Sequence, residues 1–172
     1  MKPTIPALAV MAAVSGLAQA QLVIDVSGYE FVDGLGDADN QILEVFIGAS
    51  WEITEISWDL NLTTLTDPNA SFPSWASEAN IDFNGQLNLQ VSGTAAGVVN
   101  ENNAGSSGLI SLILGADGLL RMEFWESFDD SPGMADAFLG EGSTITIPFP
   151  TPGPLAAMGI GGLITTRRRR SK

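Results

Sequence analysis

The chain has 172 residues with no cysteine and no histidine, and 20 acids against seven bases, a net charge of −13. That composition excludes disulfides, thiol chemistry, zinc ribbons, Ser-His-Asp triads and histidine-ligated metals. Six of the seven bases sit near the ends; from Gln21 to Pro150 all 20 acids face Arg121 alone, a local charge of −19 that would repel a nucleic-acid backbone.

Met1-Lys2 precedes an apolar run over residues 5–17 and then Ala18-Gln19-Ala20. A positive charge, a short hydrophobic stretch and small residues at Ala18 and Ala20 read as a secretory signal peptide cut before Gln21. The competing reading is a buried N-terminal helix. No cysteine follows the small residues, so no lipoprotein anchor forms there.

From Gln21 onward, alternation of period two recurs and no long helical period appears. Residues 56–63 are the clearest case, with Ile56, Trp58, Leu60 and Leu62 on one face and polar residues on the other. Leu87, Leu89 and Val91 repeat the pattern, as do Leu120, Met122 and Phe124, and then Ile145, Ile147 and Phe149. Residues 22–26, 42–47, 79–83 and 109–114 complete eight candidate strands. Turn signals separate them, among them Asp33-Gly34, Asp67-Pro68-Asn69, Asn84-Gly85 and Asp117-Gly118. Residues 92–108 lack a pattern and read as an exposed, mobile loop. The prediction is an all-β domain, a single antiparallel jelly-roll-like β-sandwich over residues 21–147. An N-terminal signal helix and a C-terminal hydrophobic helix with a basic tail are expected to flank it.

The C-terminal segment, residues 148–172, has three parts. Pro148, Pro150, Pro152 and Pro154 make a stiff linker that suits neither a helix nor a central strand. Residues 155–166 carry no charge and would rise about 18 Å as a helix, a thin span against a hydrocarbon core of about 30 Å. Arg167, Arg168, Arg169 and Arg170 would then hold the chain on the cytoplasmic side as a stop-transfer signal. The competing reading is a solvated basic tail.

This order resembles the PEP-CTERM sorting signal of exported bacterial proteins: a proline motif, a short glycine-containing hydrophobic segment and a terminal arginine run. Here Pro150-Thr151-Pro152-Gly153-Pro154 stands where the family carries Pro-Glu-Pro. The resemblance implies a membrane-embedded exosortase as partner, transient membrane contact through the C-terminal helix, and a mature protein released or attached at the cell surface. A second resemblance covers parts of the domain. Residues 36–40 leading into 56–59, residues 73–79 and residues 121–130 look like exported β-sandwich domains, and distantly like the P domain of proprotein convertases. That likeness implies a non-catalytic jelly roll able to bind calcium.

Three groups of residues could carry chemistry. Calcium needs six to eight hard oxygens and no histidine. Asp33, Asp37 and Asp39 offer carboxylates on one loop, and Asp129, Asp130 and Asp136 on another; neither has EF-hand spacing, and plain turn chemistry accounts for the same residues. Glu123 and Glu126 could serve a carboxylate-based hydrolase, yet three residues apart on one strand they face opposite ways. Trp51, Trp58, Trp75 and Trp125 are expected to pack in the core or at its edge, Trp58 on the same strand face as Ile56 and Leu60, with a sugar-stacking platform as the alternative. Arg121 is expected to pair with a carboxylate on a neighbouring strand. The expectation is an exported, non-enzymatic surface or matrix protein, with a calcium-assisted carbohydrate-binding module, its partner an extracellular polysaccharide, as the alternative.

Overall fold

The computed structural model describes residues 21–65, 73–93, 97, 99–129 and 133–149. The expected signal helix and the hydrophobic helix over residues 155–166 lie outside them. Among the described residues no helix is long and apolar enough to cross a membrane.

The described chain is all-β. Its strands are β1 (Gln21–Asp25), β2 (Glu30–Phe31), β3 (Gln41–Phe46), β4 (Glu52–Ile53), β5 (Ser57–Thr64) and β6 (Ala79–Phe83). They continue with β7 (Leu87–Gln90), β8 (Asn100–Ser106), β9 (Leu112–Ile113), β10 (Leu119–Glu126), β11 (Ala137–Leu139) and β12 (Thr144–Pro148). A single 3-10 turn, Ala76–Glu78, leads into β6.

All pairings are antiparallel. One sheet runs β1-β12-β5-β11-β2, with β8 added on β5. Its central strand, β5, pairs with β8 from Ser57 to Thr63, while β12 and β11 flank different stretches of it. The second sheet runs β3-β10-β6-β7, and β4 and β9 form a short ribbon. Alternation explains the packing. Leu60, Leu62, Ile145 and Ile147 from the first sheet and Ile81, Phe83, Leu120, Met122 and Phe124 from the second are buried in one hydrophobic cluster. Phe124 stacks on Tyr29 at 4.4 Å and meets Phe31 edge-on at 5.9 Å, tying the second sheet to β2 of the first.

Four expectations need correction. Residues 100–106, read as loop, form β8, because its pairing is carried by backbone and asparagine amides and leaves no apolar period to see. Asn102 donates to the side chains of Asp59 and Asn61, and Asn103 donates to the Val91 carbonyl. The strand expected over residues 109–114 shrinks to β9, with Leu109 94% exposed. Short β2, β4 and β11 are too brief to show a period. Pro148 is the last residue of β12 rather than linker, opposite Gln21, where a strand end tolerates the missing N–H.

Candidate functional site

Asn40 organises the first acidic loop. Its Oδ1 accepts from the Asp33 N–H at 3.0 Å, and its Nδ2 donates to the Gly34 carbonyl at 2.7 Å and to Glu123 Oε1 at 3.0 Å. Glu123 Oε1 also accepts the Gly36 N–H at 2.6 Å, and Arg121 Nη1 lies 3.0 Å from Glu123 Oε2. Glu123 stands on the outer face of β10, yet it is only 2% exposed because this loop closes over it. Burial pushes its carboxyl up, but the bonds from Asn40, Gly36 and Arg121, with the guanidinium charge, hold it below its ordinary value.

Arg121 therefore pairs within its own strand and not across to a neighbouring one, which corrects the expectation. Residues two apart on a strand share a face, and Glu123 is fixed there by the loop whereas Glu44, opposite Arg121 on β3, is exposed.

The closed loop brings Asp33, Asp37 and Asp39 together, with one carboxylate oxygen from each within 4.8 Å of the others. Asp37 and Asp39 are exposed and Asp33 is 9% exposed. Asp37 Oδ1 accepts the Asp39 N–H at 3.1 Å, and Asp33 Oδ1 accepts the Gly133 N–H at 3.4 Å, so the two acidic loops touch. The donor set, carboxylate oxygen without nitrogen or sulfur, suits a hard cation such as calcium.

The second loop sends its acids elsewhere. Asp136 is buried beside Glu126 and Asp129 is half-buried near it; Asp130 lies outside the described residues. Desolvation, the hydrogen bond to Asp136 and the charges of Asp136, Glu78 and Asp129 push the Glu126 carboxyl up to about 10. Glu126 belongs to this cluster through a contact between residues ten apart across a loop, which turn composition alone does not announce. Asn40, the residue that closes the first loop, looks in the sequence like one more turn asparagine.

The tryptophans do not form one platform. Trp51 packs edge-on to Phe149 at 5.8 Å, and Trp125 donates to Asn88 Oδ1 at 3.2 Å. Trp58 packs half-buried against the hydrophobic cluster, whereas Trp75 is 44% exposed. Ala18, Ala20, the Pro150-Thr151-Pro152-Gly153-Pro154 motif and Arg167, Arg168, Arg169 and Arg170 lie outside the described residues. Comparison with known proteins finds no matching family model, no matching curated protein and no matching solved structure.

Proposed function

We propose that this chain is an exported, non-enzymatic, jelly-roll-like β-sandwich, displayed at the cell surface or in an extracellular matrix after an exosortase-type enzyme removes its tail. One observation carries the reading: one of the chain's two compact units spans Gln21–Phe149, and both expected processing points fall at its edges. Among the described residues the first strand begins at Gln21, and β12 ends at Pro148. Strands β1 and β12 also pair with each other from Gln21↔Pro148 to Asp25↔Thr144. A domain closed in this way keeps its sheet when both flanks are cut.

Intact mass and terminal peptide mapping of protein recovered from the native host's surface and medium test the proposal. The expected chain starts at Gln21 and ends near Pro150, and added mass there identifies an anchor. Recovery of mature protein that retains Arg167 to Arg170 overturns it.

A second reading is a calcium-assisted carbohydrate-binding module, favoured by the convergence of Asp33, Asp37 and Asp39. Calcium-dependent retention on immobilised polysaccharide, lost in an Asp37→Asn/Asp39→Asn variant, is the result expected of it; equal retention in calcium and chelator counts against it. A carboxylate hydrolase has less support, since Glu123 and Glu126 are buried on opposite faces of β10.

A further inference from the structure

Among the described residues β1 lies at the edge of its sheet, with β12 on one side only. Its bonding pattern fixes where each N–H points. The Val26 N–H donates to the Ser143 carbonyl at 3.0 Å, one step beyond the pair Asp25↔Thr144. Bonded and non-bonded pairs alternate along an antiparallel ladder. Ile24 and Leu22 therefore bond to β12, whereas Asp25, Val23 and Gln21 turn their N–H groups away from it. Pro148, which has no N–H, stands opposite Gln21 at one of these non-bonded pairs, so the ladder loses nothing there.

The side chain of Gln21 is as open as its nitrogen. Gln21, Val23 and Asp25 are exposed, while Leu22 and Ile24 turn inward. Elsewhere the glutamine amides are engaged: Gln41 donates to Glu30 Oε2, Gln86 to the Ile113 carbonyl and Gln90 to the Ser77 carbonyl. Among the described residues no such bond holds Gln21. A signal-peptide cut before Gln21, on which this inference rests, turns its outward nitrogen into an α-amine beside its own unengaged amide.

We infer that Gln21 is a modification site, where the mature chain closes its first residue into pyroglutamate. The neutral α-amine attacks Cδ of its own side chain. A bond forms from the amine nitrogen to Cδ, and the bond from Cδ to Nε2 breaks. The amide nitrogen leaves as ammonia, carrying one proton from the amine, and nothing is oxidised or reduced. An ordinary α-amine titrates near 7.7–8.0, so part of it is unprotonated at neutral pH, and the attack is intramolecular. The fold accepts the ring. Closure fixes only the torsion about N–Cα, as in proline, and leaves the extended backbone of β1 from Cα onward and its bonds to β12 in place.

Composition gives this closure a consequence. The chain's two lysines are Lys2 and Lys172, so residues 21–150 contain none. Once both flanks are removed, the α-amine of Gln21 is the last primary amine in the protein, and the ring eliminates it. Such a chain can be attached through its carboxyl end but cannot accept another chain through an amine, so copies are displayed singly and not joined head to tail. A blocked first residue also closes the exposed start of an edge strand to aminopeptidases.

An amine-reactive ester, added to the protein as it is recovered from the native host and before digestion, tests the site, followed by mass spectrometry of the N-terminal peptide. The expected peptide starts at residue 21, carries no tag and is lighter by one ammonia than the same peptide with glutamine. Pyroglutamyl aminopeptidase is expected to release its first residue and expose Leu22. Tagging before digestion separates a ring present in the native protein from one formed during handling. Gln21→Asn, whose shorter side chain cannot close the same five-membered ring, is expected to gain one tag per chain. A tagged peptide that starts at Gln21 overturns the modification alone, and an untagged Gln21→Asn terminus overturns it too. A wild-type peptide that starts at another residue overturns the cut before Gln21 and the modification with it.

Discussion

Asn40 spends its whole side chain on two segments far apart in sequence, the loop over residues 33–36 and Glu123 on β10. Replacing it with alanine leaves the Asp33 N–H and one bond to a buried carboxylate unmet. Asn40→Ala is expected to cost about 2 kcal/mol in urea unfolding. Glu126 makes a different prediction, because its folded form keeps a proton that the unfolded chain releases near the ordinary value of 4.5. The folded state then binds more protons, so this residue's contribution is full below that value and declines as pH rises toward about 10. The slope is about 1.4 kcal/mol per pH unit. Glu123 works in the opposite sense: its lowered folded value stabilises above its ordinary 4.5 and is lost on acidification through the folded value. Urea unfolding in chelator across the neutral range should show stability falling with pH in the wild type and a flatter profile in Glu126→Gln.

At the scale of elements, β8 depends on close approach. A Cβ built at Gly105 meets Trp58 Cζ2 at 2.8 Å, and Gly105 is paired directly with Trp58. Gly105→Ala is expected to destabilise by about 1–3 kcal/mol, since the indole must leave its place against the hydrophobic cluster. Thermal melting alongside a control such as Gly93→Ala, where nothing lies within 4 Å, checks this. The same element marks how far a pattern can be read. Strands β5, β10 and β12 are legible because one face of each is buried and apolar. β8 is not, because it lies along β5 with asparagine side chains on view and offers hydrogen bonds in place of hydrophobic alternation.

Across the whole molecule, charge dominates. Residues 21–150 carry −19, and the one arginine among them is bound to a single partner. Raising salt from about 0.01 M to about 0.1 M shortens the screening length from about 30 Å to about 10 Å. Relief of self-repulsion should raise the Tm by roughly 2–5 °C, measured by circular dichroism. A Tm indifferent to salt would mean that the acids are already neutralised locally, by shared protons or bound cations.

By itself the sequence determined the all-β class, most of the turns, the acidity and the chemistries that a chain without cysteine or histidine cannot perform. Each of these follows from residue types and from neighbours a few positions apart. Only the tertiary structure decided which acids meet: Asp33, Asp37 and Asp39 through a loop held by Glu123, and Asp136 against Glu126. The reason is register. Period-two alternation says which face of a strand is buried but leaves open which strand lies beside it, and that choice brings residues 87 positions apart, such as Gly36 and Glu123, within a hydrogen bond.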